Sequence, residues 1–215
     1  MPYIKLGLNK YDCNVCETRC DNKSKNEYIF TRDVDFSQVI ENEVINFINL
    51  TYHNLCAEKT QVKEFPDLEI KRTRSSTNSI LFIEIKVQQR TFMSIRNQLP
   101  DSGLFPSETV ALNLSDLERY FEIKDKEQKP IFITWCLMKR PCINGIDPMN
   151  KKFFSQEIEI LREIRNKDKN NTRRFRRASG EGDIVNGEHR GVVINYHFSL
   201  NELFEGLPDL SSFNF

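Results

Sequence analysis

The sequence predicts an α/β domain in which a central mixed β-sheet is flanked by helices. Two observations lead to this prediction: an amphipathic helix precedes a pair of short strands with alternating side chains, and a further apolar strand follows a second helix. With 215 residues, 39% of them apolar, the chain can bury one substantial core. We therefore expect one domain over residues 35–215, preceded by residues 1–34 as a cysteine-bearing extension or small metal-held lobe.

Composition excludes several classes of protein. No apolar stretch approaches the roughly 20 residues that cross a bilayer, and residues 1–10 lack the apolar core of a signal peptide. We therefore expect a cytoplasmic protein with no membrane partner. The 31 basic and 31 acidic side chains give a formal net charge of zero, so any affinity for nucleic acid must come from local patches.

The first predicted element is a helix over residues 36–57. Asp35, followed three residues later by Gln38, has the spacing of an N-terminal capping box. Mainly apolar residues then recur at intervals of three and four, which is typical of the buried face of a helix. These residues are Phe36, Ile40, Val44, Phe47, Ile48, Thr51 and Leu55.

Two short strands follow and are predicted to form a hairpin. Residues 62–71, entered through Pro66, predict the first strand, and the polar residues 72–79 predict the connection. Residues 80–88 predict the second strand, whose side chains alternate between two faces. The apolar face carries Leu81, Ile83, Ile85 and Val87, and the polar face carries Glu84, Lys86 and Gln88. A continuous apolar face is expected of a central strand that helices cover.

The middle of the chain alternates between helices and strands. Residues 91–107 contain prolines and a glycine and predict a loop after a short helical piece, whereas residues 113–126 predict a helix. Residues 130–138 are rich in large apolar side chains and predict a further buried strand. Helical character returns at residues 155–165.

A basic segment is predicted to form a flexible loop at residues 166–190. It contains few large apolar side chains, so burial cannot offset the entropy lost on ordering. Arginines flank Phe175, an arrangement that suits contact with the phosphates of DNA, although a solvated loop without function is the alternative. These arginines are Arg173, Arg174, Arg176 and Arg177. A strand is predicted next, at residues 191–198, and then a short helix with Ser199 and Glu202 at capping-box spacing.

Three polar residues of the hairpin have the types and spacing that phosphodiester hydrolysis requires. The reaction needs an activated water and a counter-charge for the phosphate, and carboxylates that hold a divalent hard cation supply both. A lysine beside the metal orients or helps deprotonate the water and stabilises negative charge. Asp67 and Glu84 belong to adjacent strands, and Lys86 follows Glu84 by two residues, so alternation directs all three toward one space.

The dipeptide Pro66-Asp67, followed by Glu84-Ile85-Lys86, resembles the signature of the PD-(D/E)xK nucleases. The resemblance implies a restriction-endonuclease-like core. It also implies that Asp67, Glu84 and the carbonyl oxygen of Ile85 bind Mg²⁺, a cation that prefers oxygen ligands. In the same way it implies that Lys86 serves the nucleophilic water.

Further site residues are implied by this resemblance, which covers about residues 36–90. Many family members place a glutamate from the preceding helix near the metal. Glu41 and Glu43 both border the apolar stripe of the predicted helix, and either could fill this role. Gln88 extends the motif to ExKxQ, a form in which the glutamine lies near the site.

A second copy of the tripeptide, Glu69-Ile70-Lys71, competes with the first because it shares a strand face with Asp67. We favour the copy that begins at Glu84, since its strand has the continuous apolar face expected of a central strand. The alternative without catalysis is a hairpin whose solvent face carries structural pairs of glutamate and lysine.

Three cysteines lie close together in the predicted extension, at Cys13, Cys16 and Cys20. Thiolates at this spacing suit Zn²⁺ or an iron–sulfur cluster and need a fourth ligand, for which Cys56 is the first candidate. The other candidates are Cys136, Cys142 and His53. Free thiols in a reducing cytosol are the alternative.

Together these features predict a Mg²⁺-dependent endonuclease that hydrolyses DNA. The predicted role is that of a type II restriction endonuclease acting on double-stranded DNA as a homodimer, because duplex cleavage needs two sites. The alternatives are a non-catalytic nucleic-acid-binding module with a zinc-stabilised lobe, and a repair or iron–sulfur exonuclease. The sequence contains no glycine-rich phosphate loop and no serine nucleophile elbow, which argues against nucleotide hydrolases and esterases.

Overall fold

The structure, a computed structural model, describes residues 30–89, 91–138, 140–144, 150–175, 184–185, 188–189 and 192–213. Its helices are α1 (Phe30–Thr51), α2 (Ile95–Gln98), α3 (Leu114–Glu127), α4 (Pro141–Asn144) and α5 (Ile158–Lys167). Its strands are β1 (Cys56–Lys59), β2 (Leu68–Lys71), β3 (Ser79–Gln88), β4 (Thr109–Asn113), β5 (Ile131–Met138), β6 (Lys151–Glu157), β7 (Thr172–Phe175), β8 (Ile184–Val185), β9 (Glu188–His189), β10 (Val193–Ser199) and β11 (Phe204–Glu205). None of the described helices is long and apolar enough to cross a bilayer. Most of the predicted N-terminal extension, residues 1–29, lies outside the described residues, whereas residues 30–34 belong to α1.

Six strands form one central sheet in the order β1-β2-β3-β5-β6-β11. β3 and β5 run parallel, with Glu84 beside Ile133, and the other neighbouring pairs are antiparallel. A parallel pair requires a long crossover, and the chain between β3 and β5 provides it through α3. The prediction of a mixed sheet flanked by helices is confirmed.

Helices cover both faces of the central sheet. On one face, α1 packs against alternate side chains of β3. The residues buried there include Ile40, Val44, Ile48, Leu81, Ile83 and Ile85. On the opposite face, Leu117 of α3 and Leu161 of α5 belong to a second cluster around Trp135. Because side chains alternate along a strand, Glu84 and Lys86 lie on the α3 side of β3.

A second sheet of three strands, in the order β4-β10-β7, packs against the α3 side of the central sheet. Two side chains of the central sheet bond to the backbone of β4. The indole N–H of Trp135 donates to the carbonyl oxygen of Ala111 at 3.0 Å. The Gln88 amide donates to the carbonyl oxygen of Thr109 and accepts from the N–H of Ala111, both at 3.3 Å. The sequence does not predict this sheet.

The helix predicted at residues 36–57 begins earlier and ends earlier in the structure, where the chain turns back into β1. The Asn49 side chain stabilises this turn: it donates to the Ala57 carbonyl oxygen at 3.1 Å and accepts from the Ala57 N–H at 2.7 Å. The predicted end was wrong because Leu55 continues the helical spacing, although it is buried after the end of the helix. Phe47 is 49% exposed and lies outside the buried face.

The prediction of a flexible basic loop was wrong for residues 166–175. These residues include the end of α5 and the strand β7, which pairs with β10. The Tyr196 hydroxyl donates to the Asp168 carbonyl oxygen at 2.9 Å and ties the intervening turn to β10. Backbone pairing of this kind does not depend on large apolar side chains, so their scarcity was misleading. Most of residues 176–190 lie outside the described residues.

Candidate active site

The antiparallel pairing of β2 and β3 brings Asp67 next to Glu84. Leu68 is paired with Ile83, so the residue before Leu68 lies opposite the residue after Ile83. The backbone N–H of Asp67 donates to Glu84 Oε2 at 3.1 Å, and the backbone N–H of Ile85 donates to Asp67 Oδ2 at 2.8 Å. These reciprocal bonds hold the two carboxylates together at the start of β2.

The Asp67 carboxyl group has a strongly perturbed pKa. Burial is the largest cause and the adjacent Glu84 carboxylate the second, and together they raise the pKa of Asp67 to about 7. The N–H of Ile85 and the ammonium of Lys86 act in the opposite direction without cancelling the increase. Glu84 itself is only 3% exposed. The site therefore holds two acidic groups close together, where a cation would relieve their repulsion.

Lys86 extends from the same face of β3 as Glu84 and makes two ion pairs. Its Nζ lies 2.6 Å from Glu84 Oε1 and 3.2 Å from Asp116 Oδ2. Burial acts to lower the pKa of Lys86, but the negative charges around it, led by Glu84, outweigh burial and hold the pKa well above its usual value. The side chain is therefore a charged hydrogen-bond donor at neutral pH.

The helix α3 supplies three side chains that the sequence analysis missed. Asp116 accepts a hydrogen bond from Arg119 at 2.9 Å, and Arg119 donates to the Tyr120 hydroxyl at 3.4 Å. The Tyr120 side chain is buried and hydrogen-bonded to Glu84, and burial followed by the Glu84 charge raises its pKa. Spacings of three and four residues place these groups on one face of a helix, but no sequence pattern says which sheet that face meets.

Glu41 and Glu43, the two candidates from α1, differ in their surroundings. Glu41 pairs with Lys59 at 2.8 Å, and its charge is among the causes that raise the pKa of Asp67. Glu43 pairs with Lys151, and none of its described contacts is with the hairpin carboxylates. The geometry thus favours Glu41 over Glu43 as an acidic neighbour of the site.

Gln88 lies on the same face of β3 as Lys86, but both the nitrogen and the oxygen of its side-chain amide are hydrogen-bonded to the backbone of β4. This position holds the second sheet against β3. Whether Gln88 also acts in the reaction stays a prediction.

The competing copy of the tripeptide forms an ion-pair ladder between β1 and β2. Lys71 pairs with Glu58 and, at 3.1 Å, with Glu69. The Ser79 hydroxyl donates to the same Glu69 carboxylate. Hydrogen bonds to Glu58 and Glu69 raise the pKa of Lys71. This copy has the arrangement expected of structural ion pairs across neighbouring strands.

The predicted cysteine site and the basic segment each lie only partly within the described residues. Cys13, Cys16, Cys20, Arg176 and Arg177 lie outside the described residues. Cys56 and Cys136 are buried and Cys142 is half-buried. Burial raises the pKa of the Cys136 thiol to about 12. The zinc or iron–sulfur site therefore stays a prediction.

The two described arginines of the basic segment differ in exposure. Arg174 is exposed on β7. Arg173 is half-buried, donates to Gln98 Oε1 at 3.2 Å and lies over the Phe92 ring, with 5.3 Å from its Cζ to the ring centroid. Arg173 thus secures the segment after β3 to the second sheet, a role that sequence reasoning did not predict.

His197 is a buried histidine of β10 with unusual surroundings. Among the described residues, neither of its ring nitrogens has a hydrogen-bond partner. The ring packs edge-on against Phe92, with the centroids 4.7 Å apart. Burial, and then the charge of Arg173, lower the pKa of His197 to about 3. The imidazole is therefore neutral in the folded protein across the physiological range.

We expect His197 to make the folded state less stable in acid. His197 binds a proton near pH 6.5 in the unfolded chain but only near pH 3 in the folded chain. As the pH is lowered between these two values, the free energy of unfolding therefore decreases by up to about 1.4 kcal/mol per pH unit. Urea denaturation at pH 7 and pH 5 measures this loss. His197→Phe should lose less stability than the wild type over this interval, and an equal loss in both proteins would contradict the assignment.

Asp67 and Glu84 fit a Mg²⁺ ion by their chemistry, because both are hard oxygen donors whose crowding a cation relieves. Among the described residues, no group of three or more His, Cys, Asp or Glu side chains is arranged to hold a metal. Two carboxylates nevertheless suffice for Mg²⁺, which keeps several waters and binds through one or two carboxylates together with substrate phosphates.

Comparisons with known proteins give a structural likeness and no sequence match. No protein-family model and no curated protein matches the sequence. Among solved structures, the chain is similar to the 1.6 Å structure of Hjc, a Holliday junction resolvase from the archaeal hyperthermophile Archaeoglobus fulgidus. The identity is 11% and the TM-score 0.34, over 58% of this chain and 74% of that chain. A likeness of this size is weak, and function is therefore inferred from the geometry of the site.

Proposed function

We propose that this protein is a metal-dependent nuclease that hydrolyses the phosphodiester bonds of DNA. The observation that carries the proposal is the juxtaposition of Asp67 and Glu84 across β2 and β3, with the Lys86 ammonium 2.6 Å from Glu84. A pair of carboxylates and a charged lysine is the donor set that phosphodiester hydrolysis requires. The finer form of the proposal is a type II restriction endonuclease that cuts double-stranded DNA as a homodimer.

Each residue of the site has a distinct task in this reaction. Asp67, Glu84 and the carbonyl oxygen of Ile85 would hold Mg²⁺, which when bound supplies a Lewis acid for the attacking water and the phosphate. The Ile85 N–H orients the Asp67 carboxylate by its 2.8 Å hydrogen bond. The Tyr120 side chain, hydrogen-bonded to Glu84, helps to orient the Glu84 carboxylate. These contacts preorganise the acidic pair before substrate binds.

Lys86 supplies the positive charge of the site, with its Nζ 2.6 Å from Glu84 Oε1 and 3.2 Å from Asp116 Oδ2. A protonated ammonium orients the attacking water by donating a hydrogen bond, and it stabilises the negative charge that develops on the phosphate. In-line attack would then leave 5′-phosphate and 3′-hydroxyl ends, as the resemblance to PD-(D/E)xK nucleases implies.

The test is a cleavage assay on supercoiled plasmid and linear duplex DNA, with Mg²⁺ or with EDTA. We expect cleavage by the wild type in Mg²⁺ alone, and at least a 100-fold slower reaction by Asp67→Asn, which keeps the side-chain shape but loses the charge. Circular dichroism and urea denaturation establish that the variant is folded.

The form of the products tests the finer proposal. Discrete fragments from several plasmids would support a type II restriction endonuclease, whereas a continuous smear would contradict it and leave a non-specific nuclease. If folded wild-type protein cuts neither DNA in any divalent cation, the nuclease proposal is wrong.

A further inference from the structure

A second basic side chain, Arg119, lies beside Lys86 and has no task in the chemistry proposed so far. It is carried by α3, and one of its terminal nitrogens donates to Asp116 Oδ1 at 2.9 Å. The other oxygen of Asp116 lies 3.2 Å from Lys86 Nζ. One carboxylate therefore joins the guanidinium of Arg119 to the ammonium of Lys86. Two cations thus flank one carboxylate next to the acidic pair.

Arg119 is held in place more firmly than a typical surface arginine. Its guanidinium lies over the Tyr120 ring, with 5.1 Å from Cζ to the ring centroid, and the same side chain donates to the Tyr120 hydroxyl at 3.4 Å. Tyr120 is only 2% exposed and forms part of the core. Contacts on two sides restrict the rotamers of Arg119, which reduces the entropy that it would lose on binding a ligand.

The hydrogen-bonding capacity of Arg119 is incompletely used. The side chain is 36% exposed, and its described hydrogen bonds involve a single terminal nitrogen. Arg162 offers a contrast, because both of its terminal nitrogens bond to Asp125 and one also bonds to the carbonyl oxygen of Phe121. Arg119 thus keeps donors for a ligand while a core residue fixes its position.

We propose that Arg119 binds a phosphate of the DNA backbone next to the phosphate that is cut, and that Asp116 holds it there beside Lys86. The inference rests on the proposed function for the identity of the substrate. A guanidinium matches a phosphate because it offers several N–H donors in one plane and stays charged at all physiological pH values. A chain whose total charge is zero needs such local cations to bind a polyanion.

The experiment measures binding of a short duplex in EDTA, so that no strand is cut, over a range of salt concentrations. Each phosphate contact contributes about 0.9 to the slope of log K against log salt concentration. We expect Arg119→Gln to lower this slope by about 0.9 and to weaken binding several-fold at low salt. Arg119→Lys should keep the slope, because it keeps the charge, but should bind more weakly than the wild type because it loses the planar fork.

The matched control is Arg165→Gln. Arg165 is 29% exposed and pairs with Glu118 of α3 at 3.1 Å, so its removal also breaks an ion pair on this helix. We expect the wild-type slope and affinity from this variant. An unchanged slope and affinity in folded Arg119→Gln, or an equal decrease in Arg165→Gln, would overturn the inference.

This experiment is independent of the cleavage assay. A wild type that binds DNA through Arg119 but never cuts it would refute the nuclease proposal and support the phosphate contact. A wild type that cuts DNA while Arg119→Gln binds as the wild type does would refute only the phosphate contact.

Discussion

Lys86→Gln is expected to lower the rate of Mg²⁺-dependent DNA cleavage by about 10²- to 10⁴-fold, the range over which positioned donors and acids contribute to catalysis. The ammonium is 2.6 Å from Glu84 and stays charged, so its loss removes both a donor to the attacking water and a counter-charge for the phosphate. Single-turnover cleavage of a labelled duplex measures the chemical step. In this variant the buried Glu84 carboxylate loses its ion-pair partner. Urea denaturation therefore checks that the variant is still folded.

The second Glu-Ile-Lys tripeptide provides the control, Lys71→Gln. Lys71 belongs to the same hairpin and pairs with Glu58 and Glu69, so the substitution removes the same charge from the neighbouring strand. We expect cleavage within about two-fold of the wild type, because this lysine lies outside the proposed site and its ion pairs take no part in the reaction. Loss of activity in Lys71→Gln with activity retained in Lys86→Gln would move the active site to the Glu69 copy.

Trp135→Ala is expected to lower the free energy of unfolding by about 3–5 kcal/mol, the usual cost of removing a fully buried aromatic side chain. Trp135 is 0% exposed, belongs to the cluster between the two sheets and donates to the Ala111 carbonyl oxygen. Its removal leaves a cavity and an acceptor without its partner. Urea denaturation followed by circular dichroism measures the loss, since Trp135 is the single tryptophan of the chain and fluorescence disappears with it.

Trp135→Phe separates the packing of the indole from its hydrogen bond. The phenyl ring retains much of the apolar volume but cannot donate to Ala111, so we expect a loss of about 1–3 kcal/mol, smaller than that of the alanine variant. If Trp135→Ala lowered the free energy of unfolding by less than about 1 kcal/mol, the second sheet would not depend on this contact.

The hairpin could be predicted from the sequence because its signals are local. The alternation of apolar and polar residues in β3 fixes which side chains face α1, and the pairing with β2 then places Asp67 beside Glu84. The residues of both strands lie within about 20 positions of one another, so the sequence pattern alone sets their relative placement. The Ser199 and Glu202 capping box was predicted for the same reason, and it is present in the structure.

The contribution of α3 to the site could not be predicted because it depends on a long crossover. Periodicity indicated the helix, but only the parallel pairing of β3 with β5 decides that Asp116 meets Lys86. The second sheet has a similar origin. Its strand β10 pairs with β4 and β7, which are far from one another in sequence. Arg173 belongs to β7 and therefore to this sheet, although its basic neighbours suggested a loop. Such long-range pairings leave no short sequence pattern.

The strands of the central sheet occur in space in the same order as in the chain, β1-β2-β3-β5-β6-β11. A ribosome releases the chain from its N-terminus at several residues per second, so each strand can join an edge that its predecessor has already formed. The hairpin with Asp67 and Glu84 is available once Gln88 has emerged, whereas Asp116, Arg119 and Tyr120 follow later. During synthesis the acidic pair can therefore form before the helix that completes the site exists.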